Sequence, residues 1–336
     1  MVARKMLPTI LLVTANILFF MSCWQATSLQ YSQDYDTKMK AVATTIHAQQ
    51  VIGPHLIGEE YTPITTTLGA HDAKQLSAHP DFAAVAVDML HSGGVHTGDN
   101  VAINMSSSFP ALNIAVIAAV DAIGARPIIV SSVGASTWGA NRPDDTWLDM
   151  EKKLVAAGVW PWRSIAVSRG GSGDQGHGLT IEGLTMIDLA IERSEIPLVG
   201  GSTLVDAIKG RIQLYEAENN GILPKVLVNI GGSHVIFGEH GHDVILRQGL
   251  TQGYHPYLAV TGGLVAEFVN ANRNVIHFIN INRLAAQYDI HVGDVGQSRV
   301  FRTMVLPLYL RMVIAVWIIG VVVCMWYGKQ KVWWKL

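Results

Sequence analysis

The chain has 336 residues, of which 49% are hydrophobic and 15% are charged, and its formal net charge is −2 at pH 7. Its mean hydropathy is +0.28 and its pI is near 6.7, so the composition offers no basic surface for nucleic acid. The two cysteines, Cys23 and Cys324, lie in terminal apolar segments, which excludes a disulfide framework for the region between them.

Residues 1–29 contain the apolar run Met6–Ser22, whose length is at the short end for a membrane span. Three interpretations are open: an uncleaved anchor, a cleaved signal peptide, or a lipoprotein signal that ends at Cys23. We favour the anchor, because Phe20 and Met21 are bulky for the residues before a lipidated cysteine.

The region from 30 to 302 begins with a helical, amphipathic stretch, Gln30–Gln50, which suggests a stalk. Further on, Val101–Met105 predicts a strand, and Pro110 occupies the start of an Ala- and Ile-rich helix that ends near Gly124. The apolar run Ile128–Val130 then predicts a second, parallel strand.

The same alternation continues along the chain. We expect further helices over Asp81–Leu90, Thr146–Ala157, Leu179–Glu192 and Thr203–Glu218, and strands over Ser164–Val167, Pro197–Val199, Lys225–Ile230 and Leu258–Val260. The alternation predicts an α/β fold with a doubly wound, mostly parallel sheet.

Leu306–Tyr327 is a second apolar segment, within residues 303–328, and a basic tail follows it at 329–336. A buried C-terminal helix is the alternative, but flanking lysines and tryptophans favour a membrane span. With Arg4 and Lys5 on the cytoplasmic side, two transmembrane helices would flank the domain. Both termini would then be cytoplasmic and residues 30–302 extracytoplasmic, at the cell's inner or plasma membrane.

Several predicted strands end in serine or in Gly-Gly-Ser and lead into a helix. Helix N-termini attract anions, so several of them at one sheet edge predict a site for carboxylate or phosphate. The alternative is that these residues only cap helices and shape turns. The predicted binding residues are Ser106, Ser107, Ser108, Ser131, Ser132, Ser168, Arg169, Gly170, Gly171, Ser172, Gly231, Gly232, Ser233 and His234.

A catalytic role stays open. A serine nucleophile would be Ser106, Ser107 or Ser108 and would need a histidine, for which the candidates are His91, His96, His177 and His234. No GxSxG or GxxxxGK[ST] motif is present, and the GxGxxG that begins at Gly171 lacks a clear acidic ribose partner, so we predict no cofactor.

His240 and His242 form a His-x-His pair beside Glu239 and Asp243, which zinc could use if a third ligand were near. No CxxC or HExxH motif supports such a site. We therefore predict no metal and interpret this stretch as a polar surface loop.

Five features of the chain form a recognisable set: the short N-terminal anchor, GDNVAINMSSSFPALNIAVIAAVDAIGARPIIVSSVGAS, VSRGGSGDQGHGL, VNIGGSHVIFG and the basic-ended C-terminal segment. In these features the chain resembles the poly-gamma-glutamate system proteins. The resemblance implies a membrane-anchored accessory component of poly-γ-glutamate (capsule) synthesis or export. Its partners would be the anionic polymer, the membrane and other subunits of a synthase or export complex. The alternative is a hydrolase or transferase acting on γ-glutamyl bonds through a serine nucleophile or a His-bound metal. No catalytic residues follow from the resemblance.

Overall fold

A computed structural model describes residues 28–32, 34–239 and 248–305, together with 312, 314, 315 and 317–319. The strands are β1 (Ser28–Tyr31), β2 (Thr65–Thr67), β3 (Asn100–Ser106), β4 (Arg126–Ser132), β5 (Ala135–Ser136), β6 (Asn141–Arg142), β7 (Asp145–Thr146), β8 (Ala166–Ser168), β9 (Val226–Ile230), β10 (Gly249–Thr251), β11 (Asn274–Phe278) and β12 (Arg302–Val305). The helices are α1 (Tyr35–Ile52), α2 (His71–Ser77), α3 (Asp81–Ser92), α4 (Pro110–Ile123), α5 (Trp147–Ala156), α6 (Ile181–Ser194), α7 (Leu204–Ala217), α8 (His234–Phe237), α9 (Leu264–Asn270) and α10 (Ile281–Gln287).

The chain divides into two compact units. In the first, β1 and β12 form an antiparallel pair in which Ser28 lies opposite Val305 and Tyr31 lies opposite Arg302. The second unit, Asp34–Phe301, contains the elements from α1 to the 3₁₀ turn at Arg299–Phe301.

The second unit is built on a six-stranded sheet in the order β10-β11-β9-β3-β4-β8. The neighbours from β11 to β8 pair in parallel, and β10 pairs antiparallel with β11 at the edge. The predicted α/β class is confirmed, and β10 makes the sheet a mixed one.

Helices cover both faces of the sheet. Alternate residues of a strand point to opposite faces, so Ile103 of β3 joins a core with α1, α3, α4 and α5, and Ala102 joins a second core with α7 and α9. Strands buried on both faces are apolar throughout, which explains the continuous hydrophobic runs in the sequence.

The β3–α4–β4 unit forms as predicted. Pro110 occupies the first position of α4, where a missing N–H leaves no hydrogen bond unmade. Gly124 follows the helix with φ +78°, a left-handed conformation that favours glycine. Both ends of α4 are therefore set by local sequence.

The predicted stalk is wrong. The segment forms α1, which packs against α3 and α4, with Ala41 and Ala48 fully buried. Lys38 is also buried, and its ammonium pairs with Asp34 at 3.0 Å and Asp88 at 2.9 Å. Because alanine and a paired lysine carry little hydrophobic signal, the sequence pattern conceals this buried face.

Two predicted strands are also wrong. Pro197–Val199 forms only an isolated bridge, from Leu198 to Val167, and Leu258–Val260 lies in a turn. The sheet instead takes β10 and β11 from this part of the chain. Asn274 and His277 interrupt the apolar pattern of β11, which is why its sequence did not predict a strand.

The prediction of two flanking transmembrane helices is not supported by the described part of the structure and is corrected here. Among the described residues, no helix is both long enough and apolar enough to cross a membrane. The fold class is therefore an α/β domain with a mixed sheet. The run Met6–Ser22 and most of Leu306–Tyr327 lie outside the described residues.

Glu151 of α5 is completely buried against one core. Its carboxyl group accepts hydrogen bonds from Trp147 Nε1 (3.0 Å) and Ser164 Oγ (2.8 Å). Burial nevertheless penalises the charged form and raises the pKa of Glu151 to about 7. The folded protein therefore holds a proton there at pH values where the unfolded chain has released it.

The free energy of unfolding should fall as pH rises from 4.5, the ordinary pKa of glutamate, to about 7, because the folded state binds the extra proton in this window. The loss attributable to Glu151 is about 3 kcal/mol. Glu151→Gln should flatten this dependence in urea unfolding at pH 5 and pH 8, and Glu192→Gln, an exposed control on α6, should not. An unchanged difference between the two pH values in Glu151→Gln would contradict this account.

Candidate functional site

The order in which the sheet is built reverses at β3. The chain adds β4 and β8 on one side of β3 and then returns to place β9 and β11 on the other. These strands are parallel, so their carboxyl ends lie at one edge of the sheet. Open α/β sheets bind ligands at such an edge where the strand order reverses. The crevice between the ends of β3 and β9 is therefore the candidate site.

The serine loop, Ser106–Phe109, forms one wall of this crevice. Ser106 Oγ accepts a hydrogen bond from the Ser108 N–H (3.1 Å), and Ser107 Oγ donates to the Ser132 carbonyl (2.6 Å). Ser108 Oγ accepts from the backbone N–H of Ser136 (2.9 Å). These bonds hold the loop against the end of β4. The Ser106 and Ser108 hydroxyl hydrogens make no bond to any described residue.

Helix α4 begins directly after the serine loop. Its cap residue, Phe109, has no side-chain hydrogen bond to offer the first turn. The N–H groups of Ala111 and Leu112 make no hydrogen bond within the described part of the chain. The positive end of a helix of 14 residues therefore lies uncapped at this edge.

The glycine loop, Gly231–His234, forms the opposite wall. Gly231 has φ +85°, and a Cβ built there would lie 3.1 Å from Ser106 Cβ, so the two loops approach closely only because this residue is glycine. Ser233 Oγ accepts a hydrogen bond from Asn104 on β3 (3.3 Å). The N–H groups of Gly232 and Ser233 have no hydrogen-bond partner among the described residues.

Lys74 of α2 reaches the serine loop from outside the sheet. The residue is only 2% exposed, and its ammonium group donates to the Ser108 carbonyl and to Ser136 Oγ (2.7 Å). It also lies 3.5 Å from the ring centre of Phe109. No carboxylate lies within ion-pair distance in the described chain, and burial lowers the pKa of Lys74 to about 7.

Three of the four predicted histidine partners of Ser106–Ser108 lie away from this loop. His91 and His96 precede β3, so they lie toward the opposite edge of the sheet, where His91 bonds Asp34 (3.1 Å). His177 lies in the loop after β8, beside Ser172. Among the described residues, none of the three serine hydroxyls bonds a histidine or a carboxylate. His234, the fourth candidate, lies in the glycine loop, where its Nδ1 accepts a hydrogen bond from the Gly173 N–H (3.1 Å). The described residues therefore show no Ser–His pair at this loop.

The remaining predicted binding residues divide into two groups. Ser131 is completely buried and bonds Ser164 (2.6 Å), and Arg169 pairs with Asp188 (2.6 Å), so both have internal partners. The residues that flank the edge are Ser132, Gly170, Gly171 and Ser172. A Cβ at Gly170 would lie 3.0 Å from Ser132 Cβ, so the loop after β8 packs directly on the end of β4.

A buried ion pair anchors the loop after β8. Arg211 of α7 donates to Asp174 (2.7 Å) and to Ser168 Oγ (2.8 Å), and the Ser168 hydroxyl donates to Asp174 (2.8 Å). The Gly173 N–H then donates to His234 Nδ1 (3.1 Å), which joins this loop to the glycine loop. Arg211 was not predicted, because one arginine in an amphipathic helix resembles a solvent-exposed residue.

A cavity of about 140 Å³ lies at the β8 end of this edge. It is lined by Arg169, Asp174, Gln175, Leu198 and the glycines at 200 and 201. Its size suits a small group rather than a polymer, and it does not include the serine loop.

A polar row also crosses the sheet below the crevice. Asn104, Asn229 and His277 lie side by side on β3, β9 and β11. Asn104 donates to Asn229 Oδ1 (2.9 Å). His277 is completely buried, its Nε2 has no hydrogen-bond partner among the described residues, and burial lowers its pKa to about 4. Only the strand order brings these three residues together.

No group of three or more metal-ligating side chains occurs within the part of the chain that the structure describes. His240 and His242 lie outside the described residues, so the structure does not test them. No protein-family model matches the chain, and comparison with curated proteins finds no significant match.

Two Arg–Asp pairs at the loop after β8 differ in burial, so we expect them to contribute differently to the free energy of unfolding. Arg211→Met leaves Asp174 buried without its cation, so we expect a loss of about 3–5 kcal/mol in the free energy of unfolding, measured with urea. Arg169→Met removes the exposed pair with Asp188 and should cost at most about 1 kcal/mol. Adding Asp174→Leu to Arg211→Met should recover part of the loss. Equal losses for the two arginine variants would show that burial is not what makes the Arg211 pair important.

Proposed function

We propose that the domain binds an anionic γ-glutamyl chain at the carboxyl edge of its sheet, as an accessory component of poly-γ-glutamate synthesis or export. The observation that carries this proposal is the uncapped start of α4 beside the serine loop, at the point where the strand order reverses. The resemblance noted in the sequence supplies the choice of polymer.

The charge distribution at the crevice supports an anionic ligand. Neither the serine loop nor the glycine loop contains a carboxylate. The Ser108 hydroxyl and the N–H groups of Gly232 and Ser233 are at least partly exposed, and they are hydrogen-bond donors of the kind that carboxylates accept. Lys74 beside them has no carboxylate partner among the described residues.

The layout of the edge supports a chain rather than a compact ligand. Loops rich in serine and glycine follow four adjacent strands, β9, β3, β4 and β8. At the usual spacing between strands these loops extend over about 14 Å. A polymer with one carboxylate per residue can contact several of them at once, which free glutamate cannot.

A carboxylate placed in the crevice should repel the polymer. Ser233 occupies the N-cap position of α8, which aspartate and asparagine both accept, so Ser233→Asp and Ser233→Asn form a pair matched in shape. We expect Ser233→Asp to weaken binding of poly-γ-glutamate about tenfold or more, because like charges close together repel. Ser233→Asn should bind almost as the unaltered protein does.

The measurement is a calorimetric titration of the full chain with poly-γ-glutamate at low and high salt, with free glutamate and a neutral polymer as comparisons. Binding should be selective for the polyanion and should weaken as salt rises. Polymer length is followed in the same samples. Failure of the unaltered protein to bind at low salt, or equal binding by both Ser233 variants, would refute the proposal.

A further inference from the structure

Lys74 and Ser136 come from separate parts of the chain and meet beside the serine loop. We propose that they form a base–nucleophile pair, in which Lys74 Nζ activates Ser136 Oγ to accept an acyl group from an amide or ester. Neither residue was singled out by the sequence, and the pair is distinct from the Ser–His arrangement expected there.

The geometry satisfies the first requirement of such a pair. Lys74 Nζ lies 2.7 Å from Ser136 Oγ, within the distance at which a base takes a hydroxyl proton. The Ser108 carbonyl and the Phe109 ring hold the amine, and the backbone N–H of Ser136 donates to Ser108 Oγ. Both partners are therefore positioned by the same short loop.

The surroundings satisfy the second requirement, which is a neutral amine. Lys74 is buried, and among the described residues no carboxylate is paired with it to stabilise its positive charge. Charged or titratable groups on α2 and the adjoining α10, namely His71, Asp72 and Arg283, are exposed. Burial alone lowers the pKa of Lys74 to about 7, so a large fraction of the amine is unprotonated at neutral pH.

Gly69 packs closely against the pair. A Cβ built at this residue would lie 3.1 Å from Ser136 Oγ and 3.1 Å from Lys74 Cε. Any side chain there would press on both groups. Glycine at this position therefore lets the backbone pack closely on both groups, and Ser136 keeps 5% of its surface exposed.

The chemical step balances without a cofactor. Ser136 Oγ gives its proton to Lys74 Nζ and forms a bond to the acyl carbon, and the bond from that carbon to the leaving group breaks. The leaving amine or alcohol takes the bonding electron pair and the proton from the Lys74 ammonium. A water molecule then gives a proton to Lys74 Nζ and its oxygen forms a bond to the acyl carbon. The bond from that carbon to Ser136 Oγ breaks, Oγ takes the proton back from the Lys74 ammonium, and the acyl group leaves as a carboxylic acid.

The natural acyl donor would be a γ-glutamyl amide, a choice that rests on the proposed function. Reaction of the pair with a neutral activated ester does not depend on anion binding. The two proposals can therefore fail separately: polymer binding without acylation, or acylation without polymer binding.

The test treats the full-length protein with p-nitrophenyl acetate and locates the acetyl group by mass spectrometry of proteolytic peptides. We expect the acetyl group on Ser136, and its rate of formation should rise with pH through about 7 as Lys74 loses its proton. Ser136→Ala should abolish the modification. Lys74→Met should slow it by about 100-fold, the usual contribution of a general base.

Two further variants separate chemistry from packing. Ser77→Ala removes a buried hydroxyl that bonds the Lys74 carbonyl on the same helix and should leave the rate unchanged. Gly69→Ala should slow acylation by crowding both groups. Circular dichroism checks the folding of each variant, and the pH profile of the unaltered protein decides the question if Lys74→Met does not fold.

Three outcomes would overturn the inference: no acetyl group on Ser136 between pH 6 and pH 9, an equal rate in folded Lys74→Met, or acetylation of the Lys74 amine instead. A rate that rises with pH without a step near 7 would also do so, because it would show that Lys74 is not the base.

Discussion

The parallel pairing of β3 with both β4 and β9 is the constraint on which the candidate site depends. It sends three strands in the same direction, so the serine loop, the end of β4 and the glycine loop meet at one edge. The Ser132 carbonyl then fixes the contact between the first two, because it accepts from both the N–H and the hydroxyl of Ser107. An antiparallel arrangement of the same strands would place these loops at opposite edges.

Local sequence predicted the elements whose signals are complete within a few residues. The β3–α4–β4 unit has a proline at the helix start, a glycine at its end and apolar strands on both sides, and each signal has a steric cause. The serine- and glycine-rich strand ends could likewise be assigned to one edge. The strand β11 was missed because the polar residues Asn274 and His277 break its apolar pattern. Their place in a buried strand becomes evident only in the assembled sheet.

The residues that give the site its chemistry could not be predicted in this way. Lys74 and Ser136 are separated by 62 positions, and Lys74 lies on a short helix of mixed polarity. Asn104, Asn229 and His277 become neighbours only when the order of three strands is known. Long-range partners of this kind leave no periodic pattern, and single polar residues in a sequence indicate exposure more readily than burial.

The pairing of β1 with β12 has a mechanical consequence. Ser28 lies opposite Val305, so the chain before β1 and the chain after β12 leave this ladder at the same end. A force pulling those two segments apart would load the ladder as a zipper, breaking the four residue pairs one after another rather than all together. The ladder would therefore open at low tension, before the force acts on the hydrogen bonds of the six-stranded sheet.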